Sequence, residues 1–325
     1  MVNVTVKDQI KKVGRMLKDP YETRTLMGNI KDFFVTVLRV VIIIGTSFVI
    51  LSPVIGMVAE SLMTKTDLID PMVFVIPREI TLEKYQLDLE RLDYFKTLGR
   101  TIFYTVSLTA IQILICSMAG YGFARFEFPF KKLLFGCVVV MIVIPAHSIM
   151  LPLYMSFRSF NIFGLLPNDI NMMATVWPMY ILTIFGCGVK AGLYIYIFNQ
   201  FFRGLPKEIE EAALVDGAGI WYTYFNIMLK NAMPAVITVT VFSVVWQFND
   251  TFYSNVFRVP DDWIISKKLS TLVSNIANID RIIDTNVQQQ YLDAGIIMVL
   301  VPIVIIYLLL QRYFIEGVER SGIVG

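Results

Sequence analysis

Five residues between positions 246 and 253 carry the side chains best suited to binding a polar ligand. They are Trp246, Gln247, Asn249, Asp250 and Tyr253. Aromatic faces, together with groups that donate and accept hydrogen bonds, commonly hold sugars and similar molecules. An aromatic and polar belt at the outer edge of a membrane would give the same pattern. Because a carboxylate is costly in lipid, we expect Asp250 to face a wet cavity or the outer surface.

A second candidate region, residues 206–229, has the pattern of two short helices joined by a turn. The first helix is predicted to begin near Pro206, whose missing N–H costs nothing in a first turn, with Glu208 close to its positive end. Its predicted apolar face consists of Leu205, Ile209, Ala212 and Ala213, and Lys207, Glu210 and Glu211 are predicted to point away from it.

The turn in this region is predicted at Asp216, Gly217 and Gly219, because glycine adopts positive φ without steric penalty. The second helix has two apolar stripes, formed by Ile220, Tyr224, Ile227 and Met228 and by Trp221, Phe225 and Leu229. A helix that is apolar on two sides needs two partners, such as a membrane domain and a soluble subunit. A helix lying among lipid headgroups is the alternative.

The sequence shows no residue set typical of catalysis or of nucleotide binding. It contains no Gly-rich segment ending in Gly-Lys-Ser or Gly-Lys-Thr, and no paired carboxylates or nucleophile with a base within its apolar stretches. Cys116, Cys137 and Cys187 lack the spacing of a disulfide or zinc site and are expected to be buried thiols. His147 lies between two prolines that predict a kink, and we expect a structural role for it.

Composition predicts an integral membrane protein. Of the 325 residues, 56% are hydrophobic and 17% charged, and the mean hydropathy is +0.65. Stretches long enough to cross a bilayer, about 20 residues each, occur near 34–59, 100–123, 132–157, 171–198, 231–250 and 291–311. The predicted fold is therefore all-α and polytopic, with six transmembrane helices and a cytoplasmic loop between the fourth and the fifth. Glycines around Lys190 predict a broken or tilted fourth helix, which leaves Lys190 either snorkelling, in a loop, or in a cavity.

The distribution of basic residues predicts the orientation of the chain. Lys and Arg are concentrated in the N-terminal segment 1–33 and in the loops that would be cytoplasmic if both termini are inside. One transmembrane domain, 34–325, would then contain a cytoplasmic loop at 199–230 and external loops at 60–99 and 251–290. A net charge of +2 gives no indication of nucleic-acid binding.

Several sequence blocks occur in a characteristic order between residues 95 and 325. They are Tyr121-Gly122-Phe123-Ala124-Arg125-Phe126, Pro152-Leu153-Tyr154, the run from Gln200 to Glu208, Asn249-Asp250 with Phe252, and Leu310-Gln311-Arg312-Tyr313-Phe314. Between the third and fourth blocks stand Glu-Ala-Ala, three residues, Gly, nine residues, Ile, one residue and Leu, from Glu211 to Leu229. Together these blocks resemble the permease subunits of bacterial ABC importers, in particular the second permease of maltose-type carbohydrate importers.

The resemblance implies a transporter subunit of the bacterial inner membrane, without enzymatic activity of its own. Its implied partners are a second permease in a heterodimer, two ATPase subunits, an extracellular solute-binding protein, membrane lipid and a carbohydrate cargo. ATP and Mg²⁺ would be bound by the ATPase, and no cofactor is expected in this chain. The implied ATPase-coupling residues are Glu211, Ala212, Ala213, Gly217, Ile220, Tyr224 and Ile227, with Glu211 in polar contact and Gly217 at the turn.

Three departures from the family pattern accompany the resemblance, one of them in the tail Gly322-Ile323-Val324-Gly325, where family members often carry a lysine before the last glycine. Lys230 stands where the family usually has proline after the Ile-x-Leu end, and the stretch 164–202 is longer than usual. The same architecture could carry a non-sugar solute such as a peptide. A self-sufficient secondary transporter is a more distant alternative, for which inverted repeats and buried carboxylates would be expected.

Overall fold

The structure, a computed structural model, describes residues 20–161, 164 and 167–322, with the side chains of 20–30, 310 and 313–322 left out of the description. The first part of the predicted basic N-terminal segment and tail residues 323–325 lie outside the described residues. The helices are α1 (Pro20–Leu62), α2 (Lys65–Ile69), α3 (Glu83–Arg91), α4 (Tyr94–Arg125), α5 (Lys131–Val143), α6 (Met150–Arg158), α7 (Trp177–Ile184), α8 (Ala191–Gly204), α9 (Glu208–Val215), α10 (Ile220–Asn231), α11 (Met233–Phe248), α12 (Phe252–Val256), α13 (Ile265–Ser270), α14 (Leu272–Ile279) and α15 (Thr285–Gly322).

The all-α prediction is confirmed over the described residues, where β pairing is limited to an isolated bridge between Phe160 and Ile170. Three helices are long and apolar enough to cross a membrane: α1 over Lys31–Leu62, α4, and α15 over Thr285–Leu309. Two bent pairs raise that number to as many as five. The predicted count of six spans is therefore not confirmed.

Two of the predicted spans are interrupted. The stretch 132–157 is not one continuous helix, because the chain bends by 107° between Lys131–Val143 and Ala146–Arg158. Pro145 lies in this break, where it cannot donate a helical hydrogen bond. The stretch 171–198 is broken as predicted, with α7 ending at Ile184 and α8 beginning at Ala191.

The turn after α10 explains how the chain manages without proline at position 230. The α10 and α11 segments meet at an angle of 76° around Ala232, which is fully buried. Pro234 occupies the first turn of α11, where its missing N–H is not needed. The bend into the membrane is thus placed a few residues later than the family pattern implied.

The core lies where α4, α8 and α11 pack together. Gly120 of α4 allows the closest crossing, since a Cβ added there would lie 2.5 Å from Cβ of Phe198 and 2.9 Å from the backbone nitrogen of Asn199 on α8. Gly192 plays the same part between α8 and α5. Small residues at such crossings are typical of packed membrane helices.

The first helix stands apart from this core. Side chains 31–53 of α1 are all exposed in the chain taken alone, although most of them are apolar. A helix that is apolar all round is stable in lipid or against another protein. This surface therefore has to be covered by the bilayer or by a partner subunit.

Candidate functional site

The loop 206–229 is held to the membrane core by a nearly buried ion pair. Arg125, the last residue of α4, places Nε 3.3 Å from Oε2 of Glu210 on α9, with side-chain exposures of 5% and 16%. This contact is ionic without a hydrogen bond from Nε. Tyr121 donates a hydrogen bond to Oε1 of Glu210 at 2.5 Å, and Arg125 Nη2 donates to the carbonyl of Leu205 at 2.8 Å.

A second anchor lies one helix further along. Tyr224 of α10 is 2% exposed, and its hydroxyl lies 2.6 Å from Oγ of Ser117 on α4. Its ring also packs 5.2 Å from the ring of Tyr121. A π-helical turn over Thr223–Met228 widens the helix at this point. Both halves of the loop are thus fixed to the same end of α4.

The reversal between α9 and α10 depends on Gly217. Its φ is +83°, a left-handed conformation that side chains rarely adopt. The N–H of Ala218 donates to the carbonyl of Ala213 and the N–H of Gly217 to that of Leu214, at 3.0 and 3.1 Å. This pair of hydrogen bonds is a Schellman motif, and it satisfies carbonyls that the helix end leaves free.

The outer side of the loop is exposed and largely apolar. Val215 is 87% exposed and Trp221 64%, with Trp221 stacked on Phe225 at 6.3 Å between ring centroids. A concavity of about 600 Å³ opens on this side, lined by Ala213, Asp216, Gly217, Ala218, Gly219, Tyr222 and Ile227. Exposed apolar patches rimmed by polar residues are typical of protein interaction surfaces.

The predicted coupling residues are divided between these two sides. Glu211 and Ala212 are exposed, Ala213 is buried, and Ile227 is half-buried in the concavity. Tyr224 and Met228 form the inward stripe as predicted. Ile220 does not join them, because it lies in the first turn of α10 beside the surface and is 55% exposed.

Glu210 was also placed on the wrong side by the sequence pattern. It was predicted to point away from the apolar face, yet it turns inward to Arg125 and Tyr121. The helical pattern could not reveal this, since its partners lie far away in the sequence. Because its partner Arg125 is buried, the charged side chain of Glu210 faces the interior of the protein.

The five residues predicted to line a ligand path do not form one surface. Gln247 is 1% exposed and donates a hydrogen bond to Oε1 of Gln112 at 3.1 Å. Trp246 and Asn249 are exposed, and Tyr253 is partly exposed. Asp250 does not face a wet cavity or the outer surface: it is 7% exposed, and its carboxylate accepts the N–H groups of Tyr253 and Ser254 at 3.1 Å.

A cleft of about 500 Å³ was not predicted from the sequence. It is lined by His147, Met150, Tyr154, Thr251, Phe252, Asn255, Val256 and Arg258. His147 is exposed at the 107° bend, with its ring 4.5 Å from that of Phe252. The proline pair around the histidine was the signal that this segment is not a simple span.

The prediction that all three cysteine thiols are buried is confirmed for one of them. Cys116 is buried, whereas Cys137 and Cys187 are exposed in the chain taken alone, since both lie on faces that no helix of this chain covers. Over the part of the chain that the structure describes, no three His, Cys, Asp or Glu side chains group in a way that could hold a metal ion.

Comparison with known proteins identifies what kind of membrane protein has this loop. The family described as binding-protein-dependent transport system inner membrane component matches residues 112–320. The chain belongs to this family. It is thus a multi-pass component of the inner membrane, and a permease subunit without catalytic function.

Individual relatives of this permease are distant but cover most of its length. The arabinooligosaccharides transport system permease AraQ of Halalkalibacterium halodurans is 25% identical over 86% of this chain and 93% of its own. The osmoprotective compounds uptake permease GgtD of Synechocystis is 28% identical over 86% of this chain and 90% of its own. A chain of a bacterial ABC transporter involved in the import of the acidic polysaccharide alginate has the same fold, with a TM-score of 0.69, 21% identity, and coverage of 87% of this chain and 98% of that one.

Proposed function

We propose that this permease imports a saccharide. It would catalyse no reaction itself, and the energy for transport would come from a separate ATPase. The ATPase would bind ATP and Mg²⁺, and a second permease would complete the translocation path as a heterodimer. An extracellular binding protein would deliver the cargo. The chain would form one membrane domain with both termini cytoplasmic.

The observation that carries the coupling role is the two-sided loop. Its inner side is fixed to α4 through Glu210 and Tyr224, and its outer side exposes Glu211, Ala212 and a concavity. A force applied to the outer side would be transmitted to α4, because the ion pair and the phenol join the two rigidly. This is the arrangement expected of a segment that couples conformational changes of a soluble ATPase to membrane helices.

The cargo class is supported by the relatives. AraQ is named for arabinooligosaccharides, and the structure with the same fold belongs to a transporter of a polysaccharide. GgtD is named for osmoprotective compounds, and a small osmoprotective solute is therefore the second candidate. Both candidates share the permease architecture and differ only in what the binding protein delivers.

The coupling role is tested by replacing Glu211 and Gly217 in the complex purified from its native membrane and reconstituted in liposomes. Glu211→Ala removes the exposed carboxylate, and Gly217→Ala strains the turn at φ +83°. Both variants are expected to retain ATP hydrolysis while solute uptake falls. For Glu211→Ala the fall should be about tenfold or more, the loss expected for one charge-assisted contact.

Glu208→Ala is the matched control, because Glu208 is an exposed glutamate of the same helix that precedes the Glu-Ala-Ala spacing beginning at Glu211. It is expected to keep both activities. Uptake at the wild-type rate in the Glu211 and Gly217 variants would exclude this loop as the coupling element.

A further inference from the structure

A lysine is exposed in the middle of the membrane domain. Lys190 lies in the break between α7 and α8 with φ +59°, an uncommon conformation for a residue other than glycine. Its Nζ lies 4.6 Å from the ring centroid of Trp246 on α11, whose side of the helix is also exposed. Lys190 makes no ion pair within 4 Å with any of the described carboxylates.

The depth of this pair follows from α4. The side chain of Gln112 donates to the carbonyl of Val189, the neighbour of Lys190, at 2.6 Å. At a rise of about 1.5 Å per residue, Gln112 lies about 20 Å from one end of α4 and about 27 Å from the other. A hydrocarbon core of about 30 Å that is centred on α4 has Gln112 about 4 Å from its midplane. Lys190 is therefore at membrane depth.

The backbone around Lys190 is held by a buried polar network. Oε1 of Gln112 accepts hydrogen bonds from Ser243 and Gln247 of α11, both at 3.1 Å. All three residues are at most 1% exposed. The network ties the break to α11 and so keeps Lys190 beside Trp246.

A lysine exposed at this depth cannot face lipid without a large cost. The side of the chain that it shares with Trp246 therefore faces water, and in a two-permease transporter water lies along the translocation path. A backbone conformation that is costly for lysine is retained here, as is common where a side chain has a function.

We propose that Lys190 and Trp246 form a cargo subsite that takes the negatively charged group of an acidic saccharide. This inference rests on the proposed function and names the class of saccharide. The ammonium group of Lys190 would pair with a carboxylate or an ester-linked phosphate or sulfate, and the indole of Trp246 would pack against the sugar ring. Neutral saccharides would gain hydrogen bonds from the lysine to their hydroxyl groups but no ion pair.

The test compares saccharides that differ in charge alone. The complex, purified through a tag on this chain with its co-purifying subunits and binding protein, is reconstituted in liposomes. Uptake is measured for trigalacturonate and trimannuronate, for their neutral methyl esters, for a sulfated trisaccharide, and for arabinotriose as a neutral reference. Lys190→Gln, Lys190→Arg and Trp246→Leu are compared with Lys132→Gln, which removes an exposed lysine outside the break.

We expect wild type to take up an acidic trimer in preference to its methyl ester. Lys190→Gln should lower the acidic-to-neutral ratio about tenfold, and Lys190→Arg should restore much of it. Trp246→Leu should reduce uptake of acidic trimers, and Lys132→Gln should leave the ratio unchanged. If the sulfated trimer is preferred, the negatively charged group of the cargo is a sulfate or phosphate ester rather than a uronate carboxylate.

Two different failures can be told apart. Uptake of neutral saccharides alone by wild type, or an unchanged ratio in an assembled Lys190→Gln complex, overturns the subsite and leaves saccharide import standing. Uptake of a non-saccharide solute with no saccharide uptake overturns both. A third outcome is that Lys190→Gln fails to assemble while Lys190→Arg assembles, and that neither wild type nor Lys190→Arg prefers acidic trimers. This outcome would assign Lys190 to the contact with the second permease and overturn the subsite as well.

Discussion

At the residue scale, two adjacent glutamates of α9 lie in opposite environments. Glu210 is paired with Arg125, whose side chain is 5% exposed, and Glu211 is exposed. Glu210→Ala leaves the arginine charge without its partner, so we expect a loss of stability of about 2 to 3 kcal/mol. Glu211→Ala is expected to change stability by less than about 0.5 kcal/mol.

Thermal unfolding of the purified complex, followed by fluorescence or by light scattering, measures this difference. Tyr121→Phe serves as an intermediate variant, since it removes one hydrogen bond to Glu210 and leaves the ion pair in place. Equal midpoints for Glu210→Ala and Glu211→Ala would contradict the assignment of an anchor and an exposed contact.

Residue roles could be predicted from the sequence only where they depend on local spacing. Gly217 was predicted as the turn because turn chemistry is local, and its positive φ confirms the expectation. The inward position of Glu210 and the burial of Asp250 depend on groups that the fold brings together. A helical pattern assigns charges to the solvent side and cannot foresee a distant partner.

At the element scale, the crossing of α4 and α8 depends on one glycine. A Cβ at Gly120 would lie 2.5 Å from Cβ of Phe198 and 2.9 Å from the backbone nitrogen of Asn199. Neither atom can move away unless the backbone of α8 moves with it. Gly120→Ala must separate the two helices, and we expect a loss of about 1 to 3 kcal/mol, as for other overpacked positions. The yield of monodisperse complex and its unfolding midpoint are the measurements.

Gly122→Ala is the matched control on the same helix, because nothing lies within 4 Å of a Cβ added there. It is expected to be neutral or slightly stabilising, since alanine favours the helix. A stable Gly120→Ala complex with an unchanged midpoint would show that the helices cross at a greater distance.

The elements were predictable to the extent that hydropathy and proline positions report them. The long helices α1, α4 and α15 follow directly from apolar length, and the glycines of the fourth stretch correctly predicted a break. The 107° bend of the third stretch was expected only as a kink. Bend angles depend on what packs beneath them, and a single sequence does not contain that information.

At the scale of the whole molecule, the segment between α1 and α4 is joined to α15 through a buried acid. Asp88 of α3 is 0% exposed, and neither carboxylate oxygen has a hydrogen-bond partner among the described residues. Its Oδ2 lies 3.5 Å from the position of a Cβ added to Gly295 on α15. Burial raises the pKa of Asp88 from 3.8 to about 8.

This shift makes the stability of the complex depend on pH. The folded state holds a proton on Asp88 that the unfolded state releases once the pH exceeds about 4, so the free energy of unfolding falls as the pH rises towards about 8. Asp88→Asn removes the titration and keeps the shape. We therefore expect it to raise the unfolding midpoint at about pH 8.5 and to have a smaller effect at about pH 5.5.

The measurement is the unfolding midpoint of wild type and variants across this pH range. Glu79→Gln, which removes an exposed carboxylate from the same segment between α1 and α4, controls for the change in net charge. An Asp88→Asn complex whose midpoint falls with pH as steeply as that of wild type would mean that Asp88 is hydrated in the assembly. The packing of α3 on α15 would then be looser than the crossing at Gly295 indicates, because a water molecule needs room between the two helices.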